Sequence, residues 1–388
     1  MTISQATQEN PTYNQQAGIS RLYLRNYRSY SELTLQASPA PIVLTGPNGA
    51  GKTNVLEAIS LLSVSRGIRS ANIPETRKHD APMAEPWNIA ALLTSTWGDT
   101  KLSMGITGDG EKHLQVNGAT VGSRRHFAQH LHVLWLAPSL DQLFTDNASG
   151  RRRFLDRLIS GVDPYHSARL SRFEKAMRER NKLLKDGRTN ASWYQALEIQ
   201  IAAESVAIAA RRLDFLEQLT KACKLLNQSF PQARLAIQGP VEDKLSQATA
   251  LETETWLADG LAQSRRLDAS LGRTSIGAHK ADLIATFLPK NQPAALCSTG
   301  EQKALLLSLT LAAAHVYHDT GEGTPILLLD EVVAHLDPSR RSALMQTIEQ
   351  LGIQTWMTGT DADFFSGFRE KIHLFSVENS TIVPQNVL

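Results

Sequence analysis

Cysteine is nearly absent: two in 388 residues, Cys223 and Cys297. They cannot build a disulfide scaffold or a four-thiolate zinc site, and both read as small buried apolar groups. Long apolar runs are missing too; nothing approaches the roughly 18 residues of a membrane span, which excludes an integral membrane protein. The first seventeen residues have neither a basic start nor an apolar stretch, so they read as a loose polar tail and not as a secretion signal. The eleven histidines have no metal-ligand spacing, and the six tryptophans form no stripe on which bases would stack. There is no internal repeat and no low-complexity segment. What remains is an ordinary globular composition, 42% apolar and 20% charged. At roughly 150 residues per domain, the length suits two or three domains. A cytoplasmic enzyme or machine is the class left standing.

Net charge is only +2, but it is unevenly spread. Residues 151–188 hold twelve Lys and Arg against five Asp and Glu, which leaves the rest of the chain at −5. Such asymmetry suggests a polyanion partner. A solvated helix face gives the same count, and Glu174 with Arg178 is spaced to pair along a helix. The cations of interest are Arg152, Arg153, Arg172, Lys175 and Arg178, with Arg66 and Arg69 outside the run.

Alternating apolar residues over 19–36, with a turn at 26–31, predict a strand hairpin. Residues 41–44 predict a short buried strand, and 54–63 a helix. Short strands recur over 87–136, with turns at 97–100, 108–111 and 117–118; the run 132–136 is apolar enough to be central in its sheet. After Gly150 the pattern turns helical over 151–186, broken at 161–164. A turn at 187–190 leads to a long amphipathic helix over 191–228, giving an antiparallel helix pair. Its apolar spacing is too irregular for a long coiled coil, so a short arm is expected. One further helix is expected at 251–270, and strand–helix alternation resumes after Gly277.

Gly46, Pro47, Asn48, Gly49, Ala50, Gly51, Lys52 and Thr53 form a phosphate-binding loop between a strand and a helix that continues through Asn54. Glycines let backbone N–H groups close around a phosphate, and the helix N-terminus adds a favourable field. Lys52 would reach the β- and γ-phosphates of ATP, and Thr53 would offer its hydroxyl to Mg²⁺. The apolar strand 325–329 ends in Asp330 and Glu331, where Asp330 would hold Mg²⁺ and Glu331 would activate water. The two halves stand 278 residues apart, Lys52 to Asp330, which splits the ATPase core around the helical segment. Between them, Ser298, Thr299, Gly300, Glu301, Gln302 and Lys303 precede an apolar helix. That run is similar to the signature loop of ABC-type ATPases, or it is an ordinary helix cap. Asp337 follows at the spacing of a dimer-interface loop and can also cap the helix after Pro338.

Together with Leu24-Arg-Asn-Tyr-Arg-Ser-Tyr30 and the stretches 138–156 and 277–283, these motifs resemble the RecF family, SMC-like recombination and repair ATPases of bacteria. The resemblance spans residues 19–388. It implies an α/β fold: an ABC-type ATPase head, a split P-loop NTPase core with mixed β-sheets, plus an inserted arm with a short antiparallel helix pair. The expected divisions are a tail at 1–17, the N-terminal half of the head at 18–160, the arm at 161–275 and the C-terminal half at 276–388.

The resemblance also implies an ATP-dependent homodimer in which Ser298, Gly300, Gln302 and Asp337 face the partner's nucleotide, and in which Arg28 approaches ATP. DNA is the implied polymer, at duplex and single-strand junctions, with RecO and RecR as partners and slow, DNA-stimulated hydrolysis. Two departures stand out. The family commonly has Pro-His-Arg where this chain has Ala278, His279 and Lys280, and the switch histidine of ABC-type heads is replaced around Thr358. Gln142 is the candidate for the Mg²⁺-sensing glutamine. The rival reading is the ATP-binding subunit of a membrane transporter, which predicts a clear switch histidine and no basic arm.

Overall fold

The apolar runs between the polar motifs become the strands of one sheet, buried on both faces. In the computed structural model, which describes residues 17–385 apart from 83, 96–97, 188–189 and 321–322, three sheets form. The strands, in chain order, are β1 (Gly18–Tyr27), β2 (Tyr30–Gln36), β3 (Ile42–Thr45), β4 (Trp87–Thr94) and β5 (Thr100–Ile106). Then come β6 (Lys112–Val116), β7 (Ala119–Thr120), β8 (Leu131–Leu136), β9 (Ala233–Gln238) and β10 (Asp282–Phe287). The last are β11 (Gln292–Pro293), β12 (Thr324–Leu329), β13 (Gln354–Gly359), β14 (His373–Glu378) and β15 (Thr381–Pro384). An antiparallel sheet runs β2-β1-β4-β5-β6-β7, and a small one runs β11-β10-β9. The central sheet runs β15-β14-β3-β13-β12-β8, parallel except for β15.

Alternation along the central strands explains its place. Ile42, Leu44, Ile326, Leu328 and Trp356 face a core shared with the antiparallel sheet and helix α1 (Lys52–Leu61). Val43, Leu327, Leu329 and Met357 face the opposite core. That core holds α2 (Ala148–Val162) and the long helix after Ser298. Burial on both faces is what a parallel sheet requires, and it accounts for the unbroken apolar runs. One expectation needs correction: β8 is not central but the edge strand, paired among the described residues only with β12. All six of its residues are buried because both cores cover it, so its apolarity reports covered faces and not its place in the ladder. Arg157 donates to the exposed-edge carbonyl of Trp135 at 3.3 Å and lies 4.3 Å over its ring.

The helical arm begins with α3 (Pro164–Lys185), capped by the Asp163 carboxylate on Tyr165 N at 2.9 Å. It turns back in α4 (Ala191–Cys223), which at 33 residues spans about 50 Å. The first half of α4 packs in the arm, through Tyr194, Leu197, Ile201 and Val206. Its last turns, Phe215 to Cys223, enter the head core. Strand β9 and helix α5 (Pro240–Leu245) were not expected, and β9 pairs with β10 of the C-terminal half. The single helix expected over 251–270 is two, α6 (Ala250–Gln263) and α7 (Arg265–Leu271). They part at Ser264 because buried Arg180 takes the Leu261 carbonyl at 2.7 Å, satisfying an end-of-helix acceptor without another turn. Helices α8 (Thr299–Thr320) and α9 (Pro338–Leu351) complete the head. The expected turns at 97–100 and 187–190 include residues outside the described ones, as does nearly all of the N-terminal tail.

Candidate functional site

The phosphate loop is shaped by glycines that nothing else could replace at two places. Gly46 has φ +148°, and a Cβ there would lie 2.1 Å from the Val377 carbonyl. Gly51 has φ +111°, and a Cβ there would lie 2.7 Å from the Tyr30 hydroxyl. That hydroxyl donates to the Gly51 carbonyl at 3.1 Å, so β2 braces the loop from outside. Lys52 opens α1 and is buried, its ammonium donating to the carbonyls of Gly46 at 2.6 Å and Pro47 at 2.8 Å. Burial pulls its pKa below the usual lysine value, and the charges of Glu331 and Asp330 push back.

The two sequence halves meet here. Thr53 Oγ1 donates to Asp330 Oδ1 at 2.9 Å and Oδ2 at 3.2 Å, joining residues 277 positions apart. Pairing of Leu329 with Met357 sets Asp330 beside Thr358 at the C-terminal ends of β12 and β13. Thr358 Oγ1 donates to Asp330 Oδ1 at 2.7 Å and accepts from the Glu331 amide at 2.8 Å. Glu331 takes a left-handed φ of +56°, rare for a side chain of its size. Asn48, Gly49, Gly51, Lys52, Thr53, Asn54, Arg69 and Glu331 line a cleft of about 240 Å³. The Thr53 hydroxyl and Asp330 carboxylate are hard oxygen donors, and no cluster of three His, Cys, Asp or Glu able to hold a metal exists among the described residues. Few protein oxygens, with phosphate oxygens to complete the shell, is the manner in which Mg²⁺ is usually held.

Other candidates fall at varied distances from this cleft. Arg28, at φ +51°, forms a two-pronged pair with buried Glu57 of α1, 2.8 and 2.6 Å long. Arg69, read from sequence as a DNA contact, lines the phosphate-loop cleft and pairs with Glu57 at 3.0 Å and Asn54 at 2.8 Å. No periodicity marked it; only the return of the loop after α1 brings it there. Gln142 is exposed and lines a different cavity, whereas its neighbour Asp141 shares a small pocket with Asp330, Glu331 and Lys303. Asp141 and Lys303 pair at 2.9 Å.

Ser298 and Glu301 form reciprocal cap bonds, Ser298 N to Glu301 Oε2 at 2.9 Å and Glu301 N to Ser298 Oγ at 3.4 Å. Lys290, with the Ser298 amide and the Ser298 hydroxyl, which donates to Glu301 Oε2 at 3.0 Å, holds the Glu301 carboxyl down at about 2. Ser298, Thr299 and Gly300 are exposed, while Gln302 is buried on the Cys297 carbonyl at 2.8 Å. Asp337 caps α9 on Arg340 N at 2.9 Å.

Among the DNA candidates, Arg172 pairs with Glu204, Lys175 with Glu179 at 3.9 Å and Arg178 with Glu174 at 3.6 Å. Arg152 donates to the Ala281 carbonyl. Arg66 and Arg153 are exposed and line a cleft of about 620 Å³ that also includes Arg69 and Gln142.

A phosphate loop and an Asp-Glu strand, brought together across a split core with an inserted helical arm, define an ABC-type ATPase head. A family model described as the RecF/RecN/SMC N terminal domain matches residues 18–383. The DNA replication and repair protein RecF of Mesorhizobium japonicum is 42% identical over 374 residues, covering 95% of this chain and 98% of that protein. RecF of Agrobacterium fabrum is 43% identical over 370 residues, covering 94% and 98%. A solved structure of the recombination mediator protein RecF with ATP in the RecFOR pathway matches with TM-score 0.84 at 23% identity, over 96% of this chain and 98% of that one. An Smc head domain from Pyrococcus furiosus matches with TM-score 0.56 at 16% identity, over 95% and 96%. The chain belongs to the RecF family. The transporter-subunit alternative finds no support in these matches, and no helix among the described residues is long and apolar enough to cross a membrane.

Proposed function

We propose that this chain is an ATP-binding and ATP-hydrolysing protein of DNA replication and recombinational repair, and that ATP joins two copies into a clamp on DNA. The observation that carries the reading is the meeting of Thr53 with Asp330 beside Lys52 and Glu331. Backbone N–H groups of the loop and the Lys52 ammonium would hold the triphosphate. The Thr53 hydroxyl and Asp330 carboxylate would hold Mg²⁺, whose charge would offset that of the phosphate oxygens. The Glu331 carboxylate, hydrogen-bonded to nothing among the described residues, is free to take a proton from the attacking water. Exposed Ser298 and Gly300 support a composite site completed by a second copy.

Relatives named for DNA replication and repair support DNA as the polymer, and a fold match from the RecFOR pathway supports RecO and RecR as partners. The resemblance to that family further implies DNA near single-strand gaps and a part in loading RecA. The exposed arginines of the 620 Å³ cleft are the favoured phosphate contacts. Hydrolysis, slow in this reading, would release the clamp.

Glu331→Gln should leave ATP affinity within about twofold while hydrolysis falls by about two orders of magnitude or more. Lys52→Ala should weaken ATP binding itself. Size-exclusion chromatography with ATP should show a dimer, stabilised by DNA and lost in Ser298→Arg. Parental turnover in Glu331→Gln removes Glu331 as the base, and an ATP-bound dimer of Ser298→Arg removes the composite site.

A further inference from the structure

Thr358 stands on β13, where ABC-type heads carry the switch histidine that this chain lacks. Its surroundings give it a task. The side chain is fully buried, and a hydroxyl has one hydrogen. That hydrogen goes to Asp330 Oδ1 at 2.7 Å, so the oxygen must accept the bond from the Glu331 amide at 2.8 Å. Both directions are therefore set, with no tautomer to choose, and the β-branch keeps the side chain stiff. The amide it holds belongs to a residue at φ +56°, a backbone state that persists only where neighbours impose it. The carboxylate it holds is the one Thr53 also meets, at 2.9 Å. One hydroxyl thus ties the orientation of Asp330 to the backbone that aims Glu331.

We propose that Thr358 is the positioning residue for both acids, standing in for the absent histidine; this rests on reading the cleft as an ATPase site. It touches no phosphate in this role and acts only through Asp330 and Glu331. Its loss should therefore lower turnover and weaken Mg²⁺ binding at the nucleotide, so that more Mg²⁺ is needed, while leaving the phosphate loop's grip on ATP intact.

Thr358→Val keeps the shape and removes both bonds; Thr358→Ser keeps both bonds. With the valine variant, kcat should fall about ten- to a hundredfold, as for other residues that orient metal ligands, with KM for ATP within about threefold. The Mg²⁺ concentration that half-saturates binding of a fluorescent non-hydrolysable ATP analogue should rise about tenfold or more. The serine variant should stay within about threefold of the parent in both readings. If the valine variant does not fold, Thr358→Ala removes the same bonds and carries the same expectation. Glu331→Gln is run alongside. A parent that hydrolyses no ATP above a protein-free control sinks the ATPase reading, and Thr358 with it; a parent that hydrolyses ATP, but no faster than Glu331→Gln, removes Glu331 as the base and sinks the Thr358 assignment that aims it. A parent well above Glu331→Gln, with the valine variant equal to it in kcat and Mg²⁺ dependence, sinks the Thr358 assignment alone. A serine variant as impaired as the valine one does the same, because the hydroxyl would then not be what matters.

Discussion

Lys52 and Arg212 are both buried cations close to carboxylates, yet they are treated differently. Lys52 donates to two backbone carbonyls and has Glu331 nearby, whose carboxylate holds no hydrogen bond among the described residues. Arg212, at the root of the arm, makes a two-pronged pair with Asp156 at 2.8 and 2.7 Å and donates to the Ala278 carbonyl at 2.7 Å. His166 completes Asp156 at 2.9 Å. Burial alone would raise the Asp156 carboxyl, but Arg212 and His166 overcome it and hold it below the usual range. In the cleft, charge is left available for a ligand; at the arm root it is used up in joining α2, α3, α4 and the strand-bearing C-terminal half. Unspent charge marks where chemistry happens, and spent charge marks where geometry is held.

The largest effect should come from breaking the spent pair. Arg212→Met leaves Asp156 buried without its cation, which should destabilise the protein by about 3–5 kcal/mol in urea unfolding. Adding Asp156→Leu should recover part of that, because Asp156 is no longer stranded and only buried Glu242, 3.7 Å from Arg212, still loses its cation. ATP affinity of the folded double variant should match the parent. A single variant of parental stability would show that the pair only decorates the arm root.

A pH test sharpens the same contrast. His279 bonds the Thr274 carbonyl at 3.0 Å, and its Nδ1 has no hydrogen-bond partner among the described residues. Burial, with smaller repulsion from Lys280 and Arg152 outweighing attraction to Thr274 and Asp268, pushes it down to about 4. An unfolded histidine titrates near 6.5. Above that pH neither state is protonated and the group contributes no pH dependence. Between 6.5 and 4 only the unfolded chain takes the proton, so stability falls as pH falls, by about 2 kcal/mol at pH 5. His279→Gln, which keeps a donor for Thr274, should lose that much less between about pH 8 and pH 5 in urea melts. Parallel losses in the two proteins would mean the imidazole is not held neutral.

The head was legible in sequence because its signals are local. Glycine spacing announced the loop, and an apolar run ending in Asp330 and Glu331 announced the strand. Their meeting followed from chemistry both halves share. Besides β9 and α5, three things escaped. The edge position of β8 is a matter of pairing, which apolarity does not report. The break at Ser264 depends on Arg180, 84 residues earlier in the chain, reaching a carbonyl. Arg69 in the cleft and Glu57 between two arginines depend on how the segment after α1 folds back, and neither motif nor period encodes that.

The smallest effect separates spent from unspent charge on the surface. Lys175 and Arg178 each lie within 4 Å of a glutamate one turn away, and Arg172 is held by Glu204. A phosphate approaching them must compete with those carboxylates, so each contributes less than its formal charge. Arg66 and Arg153 carry no ion pair among the described residues and open on one cleft. Each phosphate contact adds about 0.9 to the slope of log affinity against log salt on duplex DNA. Arg66→Glu with Arg153→Glu should therefore flatten the slope by about 2, on every sequence alike, since backbone contacts carry no base information. Changing Arg172, Lys175 and Arg178 to Glu removes three positive charges and adds three negative ones, yet should flatten it by less than about 1. Fluorescence anisotropy with ATP present, across a salt series, reads both. If the α3 triple change flattens the slope more than the cleft pair does, the basic helix of the arm is the DNA face and its ion pairs open on binding.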